Sequence, residues 1–546
     1  MAERTYDLVV VGGGITGACI MRDAALRGLK VALLEKQDFS HATSSATSKL
    51  VHGGLRYLQN LEFGLIRESL RERRIWQRIA PHLVYPLPFL VPSYASEKGA
   101  RLKLDMGLRL YDALSYDRSW LDDPDQRMTA HRNLPREAVI AREPGLAADD
   151  LIGALLYFDC QMYAPERLGL ECIKDAVAAG SDAANYAEVK GFIREKGSIA
   201  GVDVVDQRSG QPHTIKGRVT VNAAGPWADI MLGLAQGGTP SIHLVRSKGI
   251  HLITRPLTKT HAITRMWSGG HVFVLPWRGH SIIGTTDSIF KGPPDAVRVT
   301  EADIADFLKV INHGLPSAKL TRGDVKHTYV GLRPLVDDGS KDARKGDSYG
   351  ASRRSEICDH ASEGAPGLLS AVGGKWTTSR HLAQKLVSMA LRKLGRRPVA
   401  ATTTTVPLSA GATGRFAQFR SDLRRRHSDL PEAVTDHLAR NYGTTVDELI
   451  ADVGQETALL SEPLSRELPD VAAEIVYAAR HEMAETLEDV LFRRTGIATL
   501  GHPGAETIER AASLMAREKG WTSPETQRQI DAVLKRFVIE PAPAAP

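Results

Sequence analysis

The stretch from residue 7 to residue 35 constrains the fold more than any other part of the chain. Residues 7–11, Asp-Leu-Val-Val-Val, are a near-continuous apolar run, and Gly12-Gly13-Gly14-Ile15-Thr16-Gly17 follows at once. Such a run reads as a parallel strand buried on both faces. The glycines fit the spacing G-x-G-x-x-G. Gly12 permits the tight turn, Gly14 lets backbone approach a pyrophosphate, and Gly17 lets the next helix pack closely on the strand. That helix is predicted to run to about Leu26, with its free N–H groups and positive dipole end facing the phosphates. A second strand over residues 30–34 delivers Glu35, eighteen residues after Gly17, the distance at which an acid reaches ribose hydroxyls. The unit therefore grips the ADP half of a dinucleotide. It does not say which dinucleotide.

A chain of 546 residues has room for two to four domains. Apolar and charged fractions of 42% and 25% are those of an ordinary soluble globular protein. Lysine and arginine number 70 against 64 acids, a net charge of +6. That is a weak bias toward anionic partners, either phosphorylated small molecules or anionic lipid. No dense basic run with interleaved aromatics occurs, so nucleic acid is not an expected partner. Cys19, Cys160, Cys172 and Cys358 form no Cys-x-x-Cys, and no histidine pair sits at zinc-finger spacing. This points to a reducing compartment and no structural metal. The N-terminus has no signal-peptide pattern, and no apolar stretch approaches the roughly 18 to 20 residues of a spanning helix.

Downstream, residues 39–54 are rich in Ser, Thr and Gly and read as a loop with a short helix; 61–79 read as a charged, periodic helix. Short β runs over 185–221 suggest a meander. Further strands are predicted over 242–254, 272–277 and 281–285, with a helix over 301–312. A segment from 368 returns to the first domain and ends in a helix over 377–394. Residues 400–413 read as a linker. Beyond it the pattern is helical almost throughout, including 471–494, 505–519 and 524–537. The predicted partition is a first domain of 1–84, 160–235 and 368–400, a second of 85–159 and 236–367, a helical domain of 405–540, and a disordered tail of 541–546.

Four segments carry a resemblance to a known family. Residues 42–57 (Ala-Thr-Ser-Ser-Ala-Thr-Ser-Lys-Leu-Val-His-Gly-Gly-Leu-Arg-Tyr) resemble the second flavin segment of FAD-dependent glycerol-3-phosphate dehydrogenases. Residues 222–229 (Asn-Ala-Ala-Gly-Pro-Trp-Ala-Asp) resemble that family's third, and 373–378 (Gly-Gly-Lys-Trp-Thr-Thr) its fourth. Residues 481–495 resemble the signature of its helical C-terminal domain, and all occur in family order. The resemblance implies an α/β FAD-binding Rossmann-like domain, an antiparallel β-sheet substrate domain of the amino-acid-oxidase-like type, and an all-α C-terminal domain. FAD would be held by Gly12, Gly14, Gly17, Glu35, Thr43, Ser44, Lys49, Gly53, Gly54, Val189, Ala224, Gly225, Trp227, Gly373, Gly374 and Thr377. A helix starting near Lys375 would turn positive partial charge toward the reduced flavin.

Oxidising a secondary alcohol needs a base for the hydroxyl proton and a grip that aims the carbon-bound hydrogen at the flavin. Arginines grip a phosphate handle well. By resemblance, Arg56, Tyr57, Arg333, Arg353 and Lys375 line the substrate site. Arg333 and Arg353 are expected on the phosphate of glycerol 3-phosphate, and Arg56 with Tyr57 on its hydroxyls. Residues 339–349 look like an insertion that could shift the placement of Arg353. The base is open among His52, His251 and a desolvated Lys375.

The resemblance further implies a membrane quinone as electron acceptor and a cytoplasmic protein lying on the inner face of the cell membrane. Residues 86–92 (Pro-Leu-Pro-Phe-Leu-Val-Pro) are apolar, and 101–114 mix basic and apolar residues as interfacial segments do. A core-packed helix with a charged outer face reads equally well from sequence. The alternatives are a soluble oxidase using oxygen, a related amine or amino-acid oxidase, and a non-catalytic flavin-binding protein. A homodimer is left open.

Overall fold

The computed structural model describes residues 1–58, 61–146, 149–267, 270–336, 355–454, 456, 458–465 and 468–541, and the statements below concern those residues. Arg353, the insertion at 339–349 and nearly all of the tail lie outside them, as does the side chain of Arg56.

The apolar run is β1 (Thr5–Val11), central in the first of two sheets. It lies parallel to β2 (Val31–Leu34) and to the second half of β10 (Pro212–Asn222). β2 continues to β7 (Asp182–Ala184) and β10 to β18 (Leu368–Gly373), both parallel, and β17 (Ser355–Asp359) closes that edge antiparallel. Leu8, Val9 and Val10 are fully buried because both faces are covered. On one face, α1 (Ile15–Leu26) packs with the helices Pro165–Ala178 and Ser379–Lys393. On the other lie β8 (Ala187–Glu195) and β9 (Ser198–Asp206), a meander joined to the first half of β10.

In the second sheet β4 (Val84–Tyr94) and β6 (Leu151–Met162) pair over nearly their whole length, and β3 (Leu50–Val51) and β5 (Arg132–Pro135) also pair with β6. β11 (Leu244–Thr254) carries β14 (His280–Gly284), β15 (Ser288–Phe290) and the long β16 (Val325–Val336). β12 (Ala262–Trp267) and β13 (Gly270–Trp277) link the two halves. The sheet is antiparallel as expected, except where β12 meets β4 in parallel. Two features cross the predicted partition: β3, from the first stretch, pairs with β6, and β6 itself runs through residue 160.

Three local expectations are corrected. Residues 39–47 form turns without a helix; the helical turn comes later, at Leu55–Leu58. Residues 86–92 do not present an apolar face to lipid: they lie within β4, where Phe89, Leu90 and Val91 are buried. The predicted helix over 471–494 is two pieces. Ala472–His481 stops, residues 482–486 leave the helix, and a wide turn resumes at Asp489–Arg494. Side-chain bonds out-compete the helix there. Glu482 turns to meet both terminal nitrogens of Arg167, and Asp489 Oδ2 accepts the N–H groups of Glu485 and Thr486.

The expected linker is anchored rather than loose. Arg22, buried in α1, donates to the carbonyls of Val406 and Pro407, and Leu408 is fully buried. After it, helices from Phe416–Arg426 to Ser523–Lys535 enclose their own apolar core.

Candidate active site

The fingerprint glycines do what their spacing requires. Gly12 has φ +109°, and a Cβ there would lie 2.6 Å from the carbonyl oxygen of Ala223. A Cβ on Gly17 would collide with the carbonyl oxygen of Gly12, so glycine alone allows α1 to sit this close to β1. The middle glycine also matters. Gly13 N–H donates to Glu35 Oε2 at 2.7 Å, and Gln37 N–H donates to Oε1 at 3.0 Å. Burial raises the Glu35 carboxyl above its ordinary range, and these two bonds work against that rise. The acid is thus fixed beside the start of α1. Ser44 closes the corner, its Oγ accepting the N–H of Ile15 at 2.9 Å.

These residues open onto a cavity of about 660 Å³ between the two sheets. Gly12, Gly14 and Glu35 line one end, with Thr43, Ser44, Val189, Ala224, Gly225 and Trp227 along its walls. Gly54, Gly373, Gly374 and Thr377 line it further along. Gly373 and Gly374 have φ +67° and +82°, which brings bare backbone to the wall. The chain then enters the turn Trp376–Thr378 and the helix Ser379–Lys393, whose N-terminal end starts at this wall.

His52, His251, Arg333 and Lys375 come from four distant points of the sequence and line the same cavity. His52 N–H donates to Thr377 Oγ1 at 3.3 Å, and Lys375 Nζ lies 3.5 Å from the His52 carbonyl and 4.8 Å from the Tyr57 ring centroid. His251, on β11, stacks on Tyr329 at 4.8 Å and shares a 2.8 Å hydrogen bond with Ser48 through Nε2. Burial holds its pKa well below the ordinary histidine value, with Arg333 and Lys49 adding to the effect, so the ring is neutral near pH 7. Arg333, on β16, lies over Gly249; its guanidinium donates to Ser247 Oγ and Thr285 Oγ1, each at 2.9 Å. Asp287 stands 3.8 Å away.

Four expected site residues do not line the cavity. Gly17 serves helix packing, and Gly53 is pressed against Tyr111 and Leu70. Lys49 is buried in an ion pair with Glu166 at 3.0 Å. Tyr57 is buried behind Lys375. Residues outside the expected set line it instead, notably Ser48, Asp159, Phe89, Phe273 and Asp287. The strand residues among them carry no local signal, because alternation along β4, β6 and β13 only becomes a wall once the sheet is assembled.

One further cluster, buried His437, Asp470 and Glu474, has the donor types of a cation site. It is already neutralised from within. Arg278 meets both oxygens of Asp470 at 3.0 and 2.8 Å. Burial favours neutral His437, but the Glu474 carboxylate 2.9 Å away, together with Tyr163 and Asp470, outweighs it and lifts the pKa to about 10.

The donor set suits FAD. A half-buried acid would take the ribose, bare glycine backbone and a helix end would meet the phosphates, and the cavity continues past Gly373 and Gly374 with room for the ring system. Residues 7–380 match the family described as FAD dependent oxidoreductase, and residues 401–526 match the C-terminal domain of alpha-glycerophosphate oxidase. The chain is 35% identical to the glycerol-3-phosphate dehydrogenase of Synechocystis sp., over 96% of this chain and 95% of that one. It is 34% identical to glycerol-3-phosphate dehydrogenase 2 of Mycobacterium bovis, over 99% and 89%. The crystal structure of the Bacillus halodurans glycerol-3-phosphate dehydrogenase complexed with FAD superposes with a TM-score of 0.78 at 29% identity, covering 100% of this chain and 97% of that one. The glycine oxidase of Geobacillus kaustophilus shares the fold over 74% of this chain and 98% of its own, with TM-score 0.52 and 20% identity. The chain belongs to the FAD-dependent glycerol-3-phosphate dehydrogenase family and is an FAD oxidoreductase.

Proposed function

We propose that the protein oxidises sn-glycerol 3-phosphate to dihydroxyacetone phosphate and passes the electrons to a membrane quinone. The observation that carries this reading is the meeting of His52, Arg333 and Lys375 in one cavity with the glycine-lined flavin walls. When bound, the flavin supplies the two-electron acceptor. The residues of this chain supply the rest. Arg333, already oriented by Ser247 and Thr285, holds the phosphate, together with Arg353. Lys375 and Arg56 hold the glycerol hydroxyls, with Tyr57 packed behind Lys375 as support.

His52 takes the hydroxyl proton as the carbon-bound hydrogen leaves as hydride. It is the better base of the two histidines, because His251 is held neutral with a pKa too low to match physiological pH. Lys375, beside the His52 carbonyl, supplies the positive field that favours the alkoxide.

Support for a membrane acceptor comes from α3 (Lys98–Leu114). Leu102, Met106 and Leu110 lie four residues apart on one helical face and are 66%, 62% and 40% exposed. Arg101, Lys103 and Arg109 flank that face, as in a helix lying in a headgroup layer. Among the described residues no helix is long and apolar enough to cross a membrane. The protein would therefore sit on the surface of the bilayer.

The test is acceptor choice. Substrate-reduced protein is mixed with a ubiquinone analogue or with oxygen, with and without vesicles containing anionic lipid. The reading expects rapid reoxidation by quinone, faster with vesicles. Stoichiometric hydrogen peroxide with no quinone reaction would make the protein an oxidase instead.

A further inference from the structure

We propose that the helical C-terminal domain is a working part of the cofactor site: Arg493 and Arg494 hold Asp38, and through it the Glu35–Ser40 segment that carries and backs the wall of the ADP pocket, so that docking of this domain and retention of FAD are linked.

Asp38 lies three residues after the ribose acid Glu35 and is completely buried. A carboxylate in that setting needs strong partners or it does not remain charged. Its cationic partners come from the far end of the chain. Arg494 Nη1 and Nη2 each donate to it at 2.8 Å, and Arg493 Nε donates at 2.6 Å. Asn185 adds a bond at 3.1 Å. Burial alone would push the Asp38 carboxyl up, but the two guanidiniums hold it well below the ordinary carboxylate range.

The segment so held backs the pocket wall: Glu35 and Lys36 before Asp38, and His41 and Ala42 after it, line the cavity. Ser40 N–H donates to the carbonyl of Gly13 at 3.0 Å, and Phe39 stands where a Cβ on Gly13 would be. Gly13 N–H is in turn the donor to Glu35. On the other side, Tyr186 N–H donates to the Gln37 carbonyl, while the Tyr186 hydroxyl donates to Asp489, which also pairs with Arg493. A short closed circuit therefore joins the fingerprint, the ribose acid and the two arginines.

Two states of this circuit differ in charge balance. With the domain docked, Asp38 is paired and the wall stands in place for the ribose and pyrophosphate. With the arginines withdrawn, a buried carboxylate would be left unpaired, and the wall would have to open to hydrate it. FAD would be held by the closed wall and would therefore favour the docked state, and by reciprocity docking would favour bound FAD. This holds whichever alcohol is the substrate.

The experiment follows FAD release from the full-length holoenzyme after dilution, by recovery of flavin fluorescence, alongside thermal unfolding. Asp38→Asn and Arg494→Lys are compared with Asp470→Asn, which loosens a different contact of the same domain, the one to Arg278 in the turn between β13 and β14. We expect release at least tenfold faster in Asp38→Asn and Arg494→Lys, and within twofold of the parent in Asp470→Asn despite a lower melting temperature. Arg494→Lys keeps the charge and carries the test if Asp38→Asn does not fold. Release within twofold of the parent in both site variants would reduce the arginines to structural contacts and overturn the proposal. Equal acceleration in all three would overturn the specific route through Asp38.

Discussion

Asp159 Oδ1 lies 2.5 Å from Arg73 Nη1, with both side chains buried beneath the loop that carries His52. The same oxygen accepts the Gly53 N–H at 3.1 Å and the Tyr111 hydroxyl at 2.9 Å. Because Asp159 also lines the cavity, this network connects the floor of the site to α2 (Phe63–Ile79) and α3. Asp159→Ala would leave Arg73 buried without its carboxylate, at a cost of about 3–5 kcal/mol. Urea denaturation of the variant should show that loss, and the double replacement Asp159→Leu with Arg73→Met should recover only part of it, because Gly53 N–H and the Tyr111 hydroxyl still lose their acceptor. A single-variant loss below about 1 kcal/mol would mean the pair contributes little.

Arg333→Ala should raise KM for glycerol 3-phosphate about 10- to 100-fold, the equivalent of losing charge-assisted bonds worth about 1.5–3 kcal/mol. The value of kcat should change less, because the grip acts on ground state and transition state alike. Glycerol, supplied at a far higher concentration, serves as the control substrate. If its turnover falls in the same proportion, Arg333 does not hold the phosphate.

The first sheet was the most legible part of the chain. β1, α1 and β2 stand within two residues of their predicted bounds, because local period and glycine spacing specify them without help from distant residues. The helix Ala505–Lys519 was equally plain from its period. The break at 482–486 was not, since it depends on Arg167, more than 300 residues away in sequence. Phe89, Asp159 and Phe273 were invisible as cavity residues for a similar reason, as a wall of the second sheet exists only after pairing. Lys49 misled in the opposite direction. Its place in a flavin-like segment suggested the cofactor, whereas Glu166 draws it into a buried ion pair.

The His437 cluster gives a pH signature. Folding raises the His437 pKa from 6.5 to about 10. The folded protein therefore binds this proton more tightly than the unfolded chain does. The resulting stability is present in full below about pH 6.5, shrinks as pH rises, and is gone above about 10. His437→Gln should unfold at lower temperature than the parent at pH 6.5, and the gap should narrow steadily toward pH 10. A gap independent of pH, measured by calorimetry, would show that His437 is neutral in the folded state.

The exposed face of α3 predicts lipid binding. Leu102→Glu together with Met106→Glu should reduce co-sedimentation with anionic vesicles several-fold while leaving reduction by substrate in solution intact. Adding salt should weaken binding of the parent, because the flanking arginines and lysine act through a screened field. Unchanged sedimentation of the variant would remove α3 from the membrane contact.

Anaerobic titration of the holoenzyme's visible spectrum shows whether this cavity oxidises glycerol 3-phosphate at a bound flavin. Glycerol 3-phosphate should bleach the flavin band to completion, while glycerol and glycine at the same concentration should leave it oxidised. A band unchanged by glycerol 3-phosphate, or bleached by an amino acid instead, would contradict that activity.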